Sequence, residues 1–161
     1  MSTRLTTAVL VAAAMFAAAV GTADAQKKKK KKKRDKTQNV EALMGDYDVK
    51  FEEIANNCNQ TGMNLRKGTI TLALRSKKKK AQRFILSVPI APVMYGADPS
   101  KGKFRVKAKR AGTGIQGVKG QFSASGRVND GIIQFVYIAE YFTDGKPLCT
   151  QSWNVSGVKA E

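Results

Sequence analysis

The chain has 161 residues, an apolar fraction of 42 % and a formal net charge of +17, from 29 lysines and arginines against 12 aspartates and glutamates. This length predicts one domain with a single hydrophobic core, and the ordinary apolar fraction excludes disorder throughout the chain. The strong positive charge favours anionic partners and carries no information about the fold.

Residues 1–25 have the layout of an export signal. Arg4 supplies a positive start, residues 5–20 are apolar and alanine-rich, and Ala23-Asp24-Ala25 has the small-x-small pattern of a cleavage site. We predict cleavage before Gln26 and therefore a periplasmic or extracellular protein. The alternative is an uncleaved membrane anchor or a buried helix, although the segment is short for a permanent span.

A lysine-rich segment follows the apolar one. Residues 26–36 carry nine basic side chains and one acidic one, and we interpret 26–44 as a disordered tail before a folded domain at 45–161. Near an anionic membrane each Lys or Arg contributes about 1 kcal/mol, so the tail is expected to attract anionic surfaces. The same charges oppose export, because basic residues after an apolar segment tend to hold that flank in the cytoplasm. The predicted binding residues of the tail are Lys27, Lys28, Lys29, Lys30, Lys31, Lys32, Lys33 and Arg34.

From residue 45 onwards, apolar and polar residues alternate with the period of two that is typical of half-buried strands. Such segments recur along the chain, near residues 45–51, 69–74, 84–88, 103–109, 118–124, 132–142 and 149–155. Asn129-Asp130-Gly131 and Thr143-Asp144-Gly145-Lys146 are hairpin turn sequences. We therefore predict an all-β antiparallel meander of about seven to eight strands, closed into a small barrel, with an open β-sandwich as the alternative.

Two regions of the predicted meander are irregular or unusually strong. Residues 89–102 hold three of the four prolines and form the longest irregular connection. The longest strand is predicted over 132–142, which is apolar on both faces.

The chain contains two cysteines, Cys58 and Cys149, and no histidine. In an oxidising compartment such a pair predicts one disulfide, with two free buried thiols as the alternative. A bridge that closes a loop of about 90 residues stabilises a protein by roughly 4–5 kcal/mol in chain-entropy estimates. It would also bring the first strand region beside the last, as closure of a barrel requires.

The layout resembles that of the lipocalin and calycin barrels. The resemblance rests on Gly45-Asp46-Tyr47 at the start of the first strand, the meander and the disulfide between the two ends, and it extends over 45–158. The family has Trp at the position of Tyr47, and eight strands where we count seven. The resemblance implies an apolar interior that holds a small ligand.

A glycine motif and the composition bear on enzymatic function. Gly112, Gly114 and Gly117 match the spacing of a dinucleotide-binding loop, but this site needs a helix after the glycines, and residues 118–126 are too rich in glycine to begin one. We interpret the motif as a turn followed by a bent or bulged strand. Without histidine or a recognisable nucleophile, we predict that the protein is not an enzyme, with no cofactor and no metal site.

Two further groups of basic residues are candidates for binding anionic surfaces. The first lies in a predicted hairpin loop and comprises Lys77, Lys78, Lys79 and Lys80. The second is a predicted stripe along one face of one strand: Lys101, Lys103, Arg105, Lys107 and Lys109.

Three hypotheses about function follow. The first is an exported binding protein for an anionic envelope component, such as an acidic glycan, lipopolysaccharide or lipid headgroups. The second is a lipocalin-like carrier of a small apolar ligand. The third is a nucleic-acid-binding protein that is not exported, which the opposite placement of aromatic and basic side chains disfavours.

Overall fold

The computed structural model describes residues 39–59, 62–76 and 83–161. The predicted signal at 1–25, the basic residues of the tail and the lysines at 77–80 lie outside the described residues. Within these residues, the structure contains no helix with the length and apolar character needed to cross a membrane.

Within the described residues, a 3-10 helix at Val40–Leu43 is followed by a single sheet of nine antiparallel strands. The strands are β1 (Gly45–Asn56), β2 (Lys67–Leu74), β3 (Phe84–Ser87), β4 (Met94–Gly96), β5 (Lys103–Lys107), β6 (Ala111–Gly112), β7 (Val118–Asn129), β8 (Ile132–Thr143) and β9 (Lys146–Lys159).

Eight of these strands close into a ring, in the order β1, β2, β3, β4, β5, β7, β8 and β9, because β9 pairs back onto β1. The short β6 continues the line of β5 along β7. Lys107 pairs with Ser123 and Ala111 with Gly120, so the β5–β6 side carries one extra residue. The all-β antiparallel meander is confirmed, and its sheet closes on itself as the barrel prediction requires.

The core fills the inside of the ring and follows the alternation of the sequence. Tyr47, Tyr137 and Trp153 are fully buried, and Tyr137 packs on the Trp153 ring with centroids 5.5 Å apart. Burial of large apolar side chains is the main term that stabilises such a sheet, at about 25 cal/mol for each Å² removed from water. Among the described residues, the largest fully buried side chains are aromatic: Trp153, Tyr47, Tyr137, Tyr141 and Phe84.

The disulfide is confirmed. Cys58, just after β1, is bonded to Cys149 in β9, with the two Cα atoms 5.0 Å apart. It joins the beginning of the ring to its end beside the β1–β9 pairing that closes the sheet.

Both predicted hairpin turns are confirmed. Asp130 and Gly131 have φ values of 48° and 75°, and Asp144 and Gly145 have 49° and 79°. Two consecutive residues with positive φ are the signature of type I′ turns, whose twist matches that of antiparallel strands.

The structure corrects three details. The irregular connection at 89–102 contains β4. This strand has only three residues and lies beside prolines, so the sequence pattern did not reveal it. The 3-10 helix lies within the predicted tail, and it buries Leu43, so ordered structure begins before residue 45. The longest strand is β9 and not β8, because pairing with two long neighbours extends it over polar residues.

The glycine motif forms a turn, as predicted. Gly114 and Gly117 have positive φ, and the chain reverses there between β6 and β7. The predicted bulge is not in β7, whose register with β8 is uninterrupted. Gly126 instead lets two backbones approach, because a Cβ there would lie 2.1 Å from the Gln134 carbonyl oxygen.

The two ends of the ring differ. At one, which we call the closed end, lie the 3-10 helix and the β7–β8 turn, and here the Tyr47 hydroxyl donates to the Leu43 carbonyl at 2.9 Å. At the other, which we call the mouth, lie the β1–β2, β3–β4 and β6–β7 connections and the disulfide.

Candidate anion-binding side and apolar mouth

Three of the five residues in the predicted basic stripe lie on β5. Lys103, Arg105 and Lys107 are exposed and alternate with the buried Phe104 and Val106. Lys101 and Lys109 are also exposed but lie just outside the strand, Lys101 in a turn at φ 51° and Lys109 where β5 and β6 are interrupted. The stripe is therefore shorter on the strand than the sequence predicted.

Sequence reasoning missed the basic residues that the topology places beside this stripe. Arg127 on β7 pairs with Lys103 on β5, and the whole segment 99–129 contains eight basic residues and no acidic one. All eight are exposed, and the two ion pairs found among the described residues include none of them. We call this set the basic side: Lys101, Lys103, Arg105, Lys107, Lys109, Arg110, Lys119 and Arg127. The absence of carboxylates over 31 consecutive positions was a signal already present in the sequence.

Carboxylates are concentrated on β1, which we call the acidic side. Asp46 and Asp48 accept hydrogen bonds from threonines of β2 at 2.6 and 2.8 Å, and Glu52 pairs with Lys50 at 2.7 Å. The hydrogen bond and the charge of Lys50 lower the pKa of the exposed Glu52. Three strands separate β1 from β5 in either direction around the ring, so acidic and basic sides face opposite directions.

An open depression on the basic side brings cationic and hydroxyl groups together. Lys103, Arg105 and Arg127 line it together with Ser125. The one carboxylate in its lining, Asp98, is bound by Arg83 through two contacts of 2.7 and 3.0 Å. Lysine, guanidinium and hydroxyl groups are the usual donors to phosphate and other oxyanions.

The mouth holds a second, more enclosed cavity of about 190 Å³. Its walls come from three connections and three strands, and they are mainly apolar: Met63, Ile90, Pro92, Ile115, Phe122 and Tyr141, with Gly62, Gly112 and Thr113 between them. Ile90 is 85 % exposed and Ile115 47 % exposed. Sequence reasoning missed this site because its residues come from distant loops.

Two buried tyrosine hydroxyls inside the ring lack hydrogen-bond partners among the described residues. They belong to Tyr137 and to Tyr141, which lines the cavity. Burial raises the pKa of both phenols. The Met63 backbone opposes this rise at Tyr141, but its amide already donates to Gln151 Oε1 at 2.6 Å. Both phenols therefore stay neutral donors at physiological pH.

Gln151 fixes the wall that carries Met63. Its side chain is buried, accepts from the Met63 amide and donates to the Met63 carbonyl and to Glu53 Oε2, both at 3.1 Å. A buried amide with all these bonds satisfied holds its neighbours in one arrangement. Together with the disulfide, Gln151 ties the β1–β2 connection to β9.

In the part of the chain that the structure describes, no three His, Cys, Asp or Glu side chains lie close enough together to hold a metal ion. Both cysteines are used in the disulfide. The prediction of a non-enzymatic protein stays a prediction.

In comparisons with known proteins, no protein-family model, no curated protein and no solved structure matches the chain. The resemblance to lipocalins is thus limited to the architecture, an antiparallel meander in a closed ring with a disulfide.

Proposed function

We propose that the protein is an exported, non-enzymatic binding protein that associates electrostatically with an anionic component of the cell envelope. The observation that carries the proposal is the basic side, with eight exposed basic residues and no carboxylate in the segment 99–129. None of these side chains forms an ion pair among the described residues, so their charges are available to phosphate, sulfate or carboxylate groups.

The separation of charge favours one orientation on an anionic surface. When the basic side faces the surface, the acidic side on β1 is turned away from it. Since screening at physiological ionic strength sets in beyond about 8 Å, the nearer basic residues dominate the attraction. The tail residues 27–34 and the lysines 77–80 would add to it.

Export is supported by the disulfide, which fits an oxidising compartment, and by the signal-like residues 1–25. The competing hypothesis, a nucleic-acid-binding protein that is not exported, requires an intact N-terminus and reduced cysteines. The intact mass of the native protein separates the two hypotheses, because cleavage before Gln26 and disulfide formation both change the mass.

The test of the proposal uses vesicles with and without an anionic lipid. The variant Lys103→Thr, Arg105→Thr, Lys107→Thr, Arg127→Thr removes four charges from the basic side. Because each contributes about 1 kcal/mol near an anionic surface, we expect binding to weaken by up to about three orders of magnitude and its salt dependence to decrease. Deletion of residues 27–36 should also weaken retention at low salt.

The matched control removes four charges from elsewhere and leaves the same net charge. Lys50, Arg66, Lys67 and Lys146 are exposed and lie outside the basic side, and their replacement by Thr should weaken binding much less. Equal losses in the two variants would contradict a specific basic side. Lipopolysaccharide, an acidic polysaccharide and a short DNA duplex serve as further ligands, and tighter binding of the duplex would favour the third hypothesis.

The lipocalin-like carrier is a second candidate, favoured by the apolar mouth. The ring interior offers less support for it, since Tyr137 and Trp153 fill the centre and are fully buried. A native mass spectrum without a bound small molecule would count against a resident ligand.

A further inference from the structure

We propose that the mouth binds a small, uncharged, largely apolar molecule that carries a hydrogen-bond acceptor oxygen, such as an aryl or alicyclic ketone. The acceptor would receive the hydroxyl proton of Tyr141, and the apolar part would lie against Met63, Ile90 and Ile115. This inference is independent of the basic side and rests on the second candidate function, for which it names the class of ligand and the residues that bind it.

The size of the cavity sets the size of the ligand. An apolar cavity of about 150 Å³ is large enough to bind benzene, and the mouth offers about 190 Å³. It therefore suits a single ring with a short substituent. Binding pockets for larger, drug-sized molecules occupy roughly 300–1,000 Å³.

The chemistry of the walls sets the class of ligand. Apolar side chains surround the cavity, and none of the described residues that line it is charged, so an ion would lose its hydration without compensation. Tyr141 is 2 % exposed and its hydroxyl lacks a partner within the described residues. A buried donor without an acceptor is costly, and a ligand oxygen would remove that cost. Because the phenol is neutral, it donates its proton and selects an acceptor.

The rim can adjust to admit such a ligand. Tyr141 Oη has less than 1 Å² of accessible surface, so a side chain has to move before an acceptor reaches it. Met63 lines the cavity, and its backbone lies near this hydroxyl. Its unbranched side chain adapts readily.

Ile90 shows that the rim keeps an apolar group at a conformational cost. Its φ is +64°, in the left-handed region that disfavours β-branched residues. The amide of Ala91 donates to the Val88 carbonyl at 3.3 Å, which puts Ile90 at the turn position where Gly or Asn is usual. An isoleucine there, 85 % exposed at the rim of a cavity, is readily explained by contact with a ligand.

The experiment compares two probes of nearly equal shape, acetophenone and α-methylstyrene. Acetophenone has a carbonyl oxygen, which accepts a hydrogen bond, where α-methylstyrene has a CH₂ group, which does not. NMR titration of the wild-type protein should shift resonances of the mouth and show tighter binding of acetophenone. In Tyr141→Phe the acetophenone affinity should fall about three- to tenfold, as expected for a neutral hydrogen bond, and the α-methylstyrene affinity should stay within about twofold.

Three controls make each outcome decisive. Tyr137→Phe removes the other unpartnered hydroxyl, which does not line the mouth, and should leave the preference unchanged. Ile90→Asn should weaken both probes, and the basic-side variant should weaken neither. Tyr141→Phe should melt at the same or a higher temperature than the wild type, because it removes an unpartnered buried group.

Several results would overturn the proposal. These are equal affinities of the two probes for the wild type, equal losses of both probes in Tyr141→Phe, or no shifts at the mouth with either probe. A clearly lower melting temperature of Tyr141→Phe would show that the hydroxyl has a structural partner, and the premise would then be wrong.

Discussion

The closed end and the mouth of the ring use tyrosine in opposite ways. At the closed end the Tyr47 hydroxyl donates to the Leu43 carbonyl at 2.9 Å, and the Lys159 ammonium donates to the Ala42 carbonyl at 3.0 Å. At the mouth the Tyr141 hydroxyl is equally buried but unpartnered among the described residues. The comparison indicates that one end is built for stability and that the other keeps an unused donor and a strained, exposed Ile90.

The largest effect is expected from the bond that ties the mouth together. The variant Cys58→Ser, Cys149→Ser should lose roughly 4–5 kcal/mol of unfolding free energy, because the bridge closes a loop of about 90 residues. Denaturant unfolding of the oxidised wild type and the variant measures the loss.

The same variant should affect the two ends of the ring differently. In native-state hydrogen exchange, amides of the β1–β2 connection should lose protection first, and amides near Tyr47 should lose it only on global unfolding. A variant within about 1 kcal/mol of the wild type would contradict the stabilising role of the bridge.

Alkaline pH should destabilise the protein through its buried tyrosines. Burial raises the pKa of Tyr47, Tyr137 and Tyr141 above the ordinary value of 10.0, so the folded state holds protons that the unfolded state releases. The stabilisation is complete below pH 10 and is lost as the pH rises through the folded-state pKa values. Each strongly shifted tyrosine contributes a fall of up to about 1.4 kcal/mol by pH 11.

The matched variant Tyr137→Phe isolates this effect from the titration of lysines. Its unfolding free energy should fall less steeply between pH 9 and 11 than that of the wild type. Parallel pH profiles of the two proteins would show that Tyr137 ionises equally in the folded and unfolded states.

A smaller effect separates the two ends directly. Tyr47→Phe should lose about 1 kcal/mol, because it removes a hydrogen bond and leaves the Leu43 carbonyl without that donor. Tyr141→Phe should lose nothing. Urea unfolding of the two variants measures the difference, and equal losses would remove the distinction between the ends.

Local patterns predicted much of the fold. Alternation placed the long strands, Asp-Gly pairs placed two type I′ turns, and the two cysteines were correctly paired. The strands and turns depend on residues that are close together in the sequence, and two cysteines can form only one intramolecular disulfide. The three-residue β4 was missed because prolines flank it and its pairing with β3 and β5 is not encoded in its own sequence.

The sites were harder to predict because closure of the ring creates them. The stripe on β5 was recognised, but Arg127 joins it only through the β5–β7 register. The mouth gathers Met63, Ile90, Ile115 and Tyr141, which lie in segments far apart in the chain. The one local sign of the mouth in the sequence was Ile90 directly after a proline, since a β-branched residue is unusual in that turn position.

Lysine acetylation of the native protein, with and without anionic vesicles, shows which side of the ring faces the surface. If the basic side faces it, Lys103, Lys107 and Lys119 become protected on binding while Lys50 and Lys67 are modified at unchanged rates. Uniform protection of all these lysines, or stronger protection of Lys50 and Lys67 than of those on the basic side, would contradict this orientation.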